Sequence, residues 1–309
     1  MTAGAADAGR PPAPRAARVT LAHRLEAALV TAASGLFRLL GVDRASSLGG
    51  WVGRTLGPRL KALSRRAERN LKAAYPDKTD ADIAEIIAGV WENLGRTAAE
   101  FSHLKAFRPF EEGGRIEVSG AEHIEAVKAS GKPAVFVSGH FANWEIMSIV
   151  LHRCGIDYCV VYRAANNPLV DAQVIRWRTG VMSLNQAPKG KDGAKRILAA
   201  MKAGQSLAML VDQKMNDGIA APFFGREAMT APAAARMALR FGAPVIPLSV
   251  ERLRGARFHF RAHPPLTVTP TGDTGADVLT LTSDINRFLE RQITAHPSQW
   301  LWLHNRWPG

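Results

Sequence analysis

Residues 134–145, AVFVSGHFANWE, decide how the rest of the chain is read. Val135, Phe136 and Val137 form a short apolar run bounded by Pro133 and Gly139. A segment without a polar side predicts a strand buried on both faces, as in a parallel sheet. Ligands of open α/β sheets gather just past the carboxyl ends of such strands. His140 falls at that place, and Glu145 follows five positions later. On one continuous helix the two would lie about 140° apart, so they meet only if His140 sits in the loop or first turn and Glu145 inside the next helix. Gly139 permits that bend. Glu145 would then fix the imidazole tautomer and stabilise the imidazolium, leaving the other nitrogen to accept a proton from a hydroxyl. The first N–H groups of the helix would face a developing oxyanion.

The pair alone is a weak signal. Nine histidines and 27 acids in 309 residues give roughly 0.8 such pairs by composition. The chain holds two, the second being His152 and Asp157, read as a helix-end histidine before the next strand. A satisfied structural histidine therefore stands beside the catalytic reading of His140.

Outward from this segment the pattern is α/β. Strands are expected at 115–118, 134–138, 158–162, 206–211, 245–250 and 257–261. Helices are expected at 121–129, 144–153, 168–180, 192–203 and 231–241. The alternation predicts a mixed, largely parallel sheet flanked by helices. Residues 18–105 read as helices broken at Gly49-Gly50, Gly57-Pro58 and Tyr75-Pro76-Asp77, with a strong amphipathic helix at 80–104. We expect a disordered tail at 1–17, a helical membrane-associating region at 18–105, and an α/β domain at 106–309 integrated with it. Further strand ends carry Arg163 with Asn166-Asn167-Pro168, and Asp212-Gln213-Lys214 followed by an APFFG turn at 221–225. These would join His140 in one polar edge if the strands are neighbours; singly, each reads as a cap or a solvated charge.

The charge of +13 is uneven, with +9 of it in residues 1–72. Leu21, Leu25, Leu29, Ala32, Leu36 and Leu39-Leu40 recur at helical spacing, and Lys61, Arg65, Arg69 and Lys72 form a basic stripe. This combination fits a segment lying on an anionic membrane. The alternative is a core-facing helix with a solvated charged face. Only 11 uncharged residues separate Glu26 from Arg38, too few for the ~20 that span a bilayer. Two cysteines make no disulfide framework, and the first residues hold no secretory signal.

Six blocks now resemble one family in order: RRAERNLKAAYP (65–76), SGHFANWE (138–145), VYRAANNPLVD (161–171), LVDQK (210–214), APFFG (221–225) and PSQWLWLHNRW (297–307). The chain resembles the bacterial lipid A biosynthesis acyltransferases, the late lauroyl and myristoyl enzymes of lipopolysaccharide assembly. The resemblance implies an acyltransferase at the cytoplasmic face of the cell inner membrane, held by its N-terminal helix and anionic lipids. It implies transfer of a fatty acyl chain from acyl carrier protein to a hydroxyl on a 3-hydroxyacyl chain of a lipid A precursor, a phosphorylated glucosamine disaccharide. It also implies His140 as the base and Glu145 as its acid, with Arg178 (Arg176 being a competitor) and Asp212 matched at the site and Arg163 beside them. The donor is already a thioester, so the resemblance implies no cofactor and no covalent intermediate. Phe223, Phe224, Trp144 and Met147 are candidates to line an acyl tunnel.

Other readings compete. Ser138 as a hydrolase nucleophile lacks the G-x-S-x-G elbow. A metal site of His140, Glu145 and Asp212 lacks a further histidine or cysteine ligand. The acceptor could be another glycolipid or an aminolipid. In a different class, the chain could be a non-catalytic basic membrane-binding protein; no nucleic-acid motif is present, so nucleic acid is not an expected partner.

Overall fold

The structure, a computed structural model, describes residues 19–162, 164–188 and 190–307. The expected tail at 1–17 and Arg163 lie outside them.

Three helices come first: α1 (Leu21–Leu56), α2 (Lys61–Ala74) and α3 (Asp80–Glu100), with a short 3-10 segment, Phe101–Ala106, after the third. Thr79 caps α3, taking the Asp82 N–H on its hydroxyl while the Asp82 carboxylate accepts from the Thr79 backbone. Gly49-Gly50 does not interrupt α1, contrary to the sequence expectation. The glycines serve packing instead. A Cβ on Gly49 would stand 2.4 Å from the Gly95 carbonyl, and one on Gly53 would stand 2.1 Å from that of Trp91. Missing side chains thus let α1 and α3 touch backbone to backbone. The actual break in α1 is at Gly41, whose φ of 72° only glycine adopts without strain.

The sheet follows. Its strands are β1 (Ile116–Ser119), β2 (Val135–Ser138), β3 (Tyr158–Tyr162), β4 (Gln186–Pro188), β5 (Ser206–Leu210), β8 (Val245–Arg252) and β9 (Phe258–Ala262). Between β5 and β8 lies an antiparallel hairpin, β6 (Lys214–Phe223) and β7 (Arg226–Thr230). The order is β1-β9-β8-β2-β5-β3-β4, parallel at every pairing except β8 with β9. The mixed, largely parallel sheet expected from the sequence is thus present. The connecting helices are α4 (Ala121–Ser130), α5 (Glu145–Arg153), α6 (Pro168–Arg178), α7 (Lys191–Lys202), α8 (Ala233–Phe241) and α9 (Thr274–Ala295).

The central strand β2 is buried throughout and alternates between two apolar clusters. Val135 and Val137 face α2, α3, α7, α8 and α9, while Phe136 faces α4 and α5. Leu207 and Met209 on β5 repeat the first pattern and Ala208 the second. This double burial explains the unbroken apolar run that marked β2 in the sequence. At the front of the molecule the half of α1 before Gly41 leaves Leu21, Leu25, Leu29, Leu36 and Leu39 exposed. Its opposite side is tied to α6: Asn167 donates to the Glu26 carboxylate (2.9 Å) and the His23 carbonyl (2.8 Å), and Thr31 donates to Gln173 (3.3 Å). The helix within Leu21–Arg59 is long and apolar enough to cross a membrane by length and composition. Counting only the run between Glu26 and Arg38 understated it.

Candidate active site

Strands β2 and β5 run side by side, so the residues beyond their carboxyl ends are neighbours. The Val211 N–H donates to the Ser138 carbonyl at 2.9 Å, carrying the pairing one step past the register of Ser138 with Leu210. His140 and Asp212 come next on each chain segment and meet. The His140 backbone N–H donates to Asp212 Oδ2 at 2.7 Å, and the ring Nδ1 pairs with Oδ1 at 2.7 Å. Trp300 Nε1 donates to Oδ2, also at 2.7 Å. The carboxylate is fully buried and has three donors. Burial alone would raise its pKa. The charge and hydrogen bond of His140 outweigh burial and hold Asp212 well below the usual carboxylate range.

Asp212, not Glu145, is therefore the acid that orients His140. Sequence spacing favoured Glu145 because it is near in the chain; Asp212 is near in space because its strand is adjacent. With Nδ1 on the carboxylate, Nε2 is the ring nitrogen left for other contacts. The side chain is 17% exposed, and the Gln213 amide nitrogen lies 3.5 Å from Nε2. Trp144 stands edge-on to the imidazole, ring centroids 5.3 Å apart.

Glu145 opens α5 and faces the last residue of α6. Arg178 Nε donates to Oε2 at 2.9 Å and Nη2 to Oε1 at 2.5 Å, with both side chains almost fully covered. The guanidinium also stacks on Tyr162 (5.1 Å) and Phe101 (5.9 Å). The fork of Arg178 is thus occupied by Glu145. Asn167 caps α6 and bonds α1, so it is a joint between helices. Arg163 lies outside the described residues.

The loop carrying His140 is clamped from distant parts of the chain. Ala142 adopts φ 43°, an unfavourable conformation for alanine. Its N–H donates to the Gln299 carbonyl (2.7 Å), and its own carbonyl accepts from Asn93 and Thr97 (3.0 Å each). Asn143 donates to Glu100 at 2.9 Å, and Glu100 is paired with the buried Arg252. The backbone N–H groups of His140, Phe141, Ala142, Glu145 and Ile146 are all taken by such bonds. The helix-start donors expected for an oxyanion are therefore internally satisfied at those positions.

Sequence reasoning gave no role to Trp300, Gln299, Asn93, Glu100 or Arg252. The 297–307 block was visible as a motif, but nothing local linked its tryptophans to Asp212. Nor do the tunnel candidates share one space, since Phe223 and Met147 belong to clusters on opposite faces of the sheet. A hollow of about 850 Å³ between α8 and the start of α9 contains neither His140 nor Asp212. Among the described residues no group of three or more His, Cys, Asp or Glu side chains could hold a metal ion.

Residues 15–308 match the family described as bacterial lipid A biosynthesis acyltransferase. The chain belongs to that family. It is 26% identical over 272 residues to the lipid A biosynthesis acyltransferase of Haemophilus influenzae, covering 83% of this chain and 79% of the relative. It is 25% identical to the lipid A biosynthesis palmitoleoyltransferase of Escherichia coli K12, covering 84% and 83%. The lauroyltransferase of the same organism is 26% identical, with 80% of each chain covered. The protein is accordingly an acyltransferase of lipid A biosynthesis, with a long apolar N-terminal helix suited to membrane association.

Proposed function

We propose that the enzyme moves a fatty acyl chain from acyl carrier protein to a hydroxyl of a lipid A precursor, with His140 as general base. The observation that carries this is the fixed imidazole: Nδ1 is bound to buried Asp212, so Nε2 is the ring nitrogen left for the hydroxyl. A hydroxyl meeting Nε2 gives up its proton as its oxygen attacks the thioester carbonyl. The C–S bond then breaks as the tetrahedral intermediate collapses, and the carrier's thiolate leaves with a proton from the imidazolium. Asp212 stabilises that imidazolium in between. Gln213, beside Nε2, is the group we assign to the carbonyl oxygen as its negative charge develops.

The buried Glu145–Arg178 pair supports this work rather than performing it. It ties the start of α5, one residue from Trp144, to the end of α6. Helix α6 is in turn bonded to α1. The exposed leucines before Gly41 favour an in-plane or shallowly inserted helix at the cytoplasmic face of the inner membrane. Burial of Asn167 and Gln173 between the two helices supports the same placement, because both would be costly inside a bilayer.

The test is turnover of acyl carrier protein thioester on a lipid A precursor, read by mass spectrometry of the lipid product. His140→Ala should abolish transfer while the melting temperature stays near that of the parent. Unchanged turnover in folded His140→Ala would remove the mechanism.

A further inference from the structure

Arg178 cannot serve an anionic substrate while Glu145 holds both prongs of its fork. Two residues earlier, Arg176 is exposed and forms no ion pair among the described residues. It lines a hollow of about 540 Å³ between the 3-10 segment Phe101–Ala106, the end of α6 and Arg38 of α1. Lys105 lines it too, and like Arg38 it is exposed and in no ion pair among the described residues. The lining contains no acidic residue. Phe101 and Trp177 form an aromatic wall, ring centroids 6.3 Å apart. His103 completes the lining, its Nε2 held on the Phe37 carbonyl at 2.9 Å.

We propose that this hollow binds a phosphate carried by a lipid at the membrane surface. Three cations around one concavity without an acid repel each other until an anion enters. Guanidinium groups take phosphate by two parallel hydrogen bonds, and a lysine adds a point charge. The position fits a lipid better than a free anion. Arg38 sits between Leu36 and Leu39, 50% and 88% exposed, on the half of α1 assigned to the membrane. The wall also borders the site region, since Phe101 stacks on the Arg178 that pairs with Glu145. The acceptor reading given above supplies one source of such a phosphate, the phosphorylated lipid itself. Bulk anionic phospholipid is the other.

The experiment uses full-length protein and the double variant Arg176→Gln, Lys105→Gln, with Arg236→Gln, Arg240→Gln on α8 as a charge-matched control. Binding is measured to phosphatidylcholine vesicles alone, with phosphatidylglycerol, or with a phosphorylated glucosamine-disaccharide lipid or its dephosphorylated form. KM is measured on the last two lipids. We expect the variant to lose about fivefold in affinity per cation removed, only on vesicles carrying phosphate, while the control does not. A loss confined to the phosphorylated disaccharide, with a raised KM and little change in kcat, identifies the acceptor as the source. A loss on phosphatidylglycerol identifies bulk lipid. Parent-like binding to every vesicle with an unchanged KM overturns the proposal. If the parent itself transfers no acyl group to either lipid, the acyltransfer reading fails, and the vesicle measurements still decide the hollow.

Discussion

Asp212 holds His140 at two points, one oxygen on the backbone N–H and the other on Nδ1, each at 2.7 Å. One carboxylate therefore sets both where the loop lies and how the ring is turned. Asp212→Asn would keep the shape and lose the charge, with an amide N–H placed against Nδ1 or the backbone N–H. We expect kcat to fall by roughly 10⁴, the scale known for such a swap in serine-protease triads, with a modest change in KM. Steady-state kinetics on the purified variant checks this. A loss below tenfold would mean that Asp212 does not orient the base.

Glu145→Gln and Arg178→Lys should act on stability first. Removing one partner of a buried pair leaves an uncompensated charge and costs about 3–5 kcal/mol. Lysine cannot reproduce the two-point contact of Arg178. Urea unfolding of Glu145→Gln, Arg178→Met and the double variant carrying both gives the coupling. We expect the double variant to be more stable than the sum of the single losses.

The glycine seam between α1 and α3 makes a sharper prediction. A Cβ at Gly95 would stand 2.1 Å from the Gly49 carbonyl, so Gly95→Ala must push the helices apart. Overpacking of this kind costs about 1–3 kcal/mol or more. Because α3 also supplies Asn93 and Thr97 to the Ala142 carbonyl, activity should fall with stability. Gly35→Ala, with open space around the added carbon, is the control expected to keep activity and to leave stability unchanged or raised by up to about 1 kcal/mol.

His304 predicts an acid limit. Burial pushes its pKa from 6.5 down to about 4, against the pull of Asp212. Between those values the unfolded chain binds a proton that the folded chain refuses, so stability falls as pH drops from about 6.5 towards 4. The full loss is on the order of 3 kcal/mol. Melting temperatures across that range should decline, and His304→Gln should flatten the slope.

The strands β2, β3, β5 and β8 were legible from their apolar runs, whereas β1 (IEVS) and β9 (FHFRA) were legible from period-two alternation. Three-residue β4 and the β6–β7 hairpin were not, since exposed residues and small side chains such as Asn216-Asp217-Gly218 carry no period. Helix α9 was missed although Asp273 caps it and its buried face recurs along 22 residues. Within the site, His140 was legible from one strand end. Its partner was not, because pairing across β2 and β5 depends on strand order, and six neighbouring residues of one segment say nothing about that. Asp212 stood among the candidates as a site residue at a neighbouring strand end, but not as the partner of His140.

The clamp on the His140 loop also makes its geometry a report on the whole fold. Gln299 and Trp300 hold Ala142 and Asp212 from beyond α9, while Asn93 and Thr97 hold the Ala142 carbonyl from α3. The imidazole is therefore locked only when segments on both sides of the sheet in sequence have docked. Local opening of either one frees the loop while β2 and β5 stay paired.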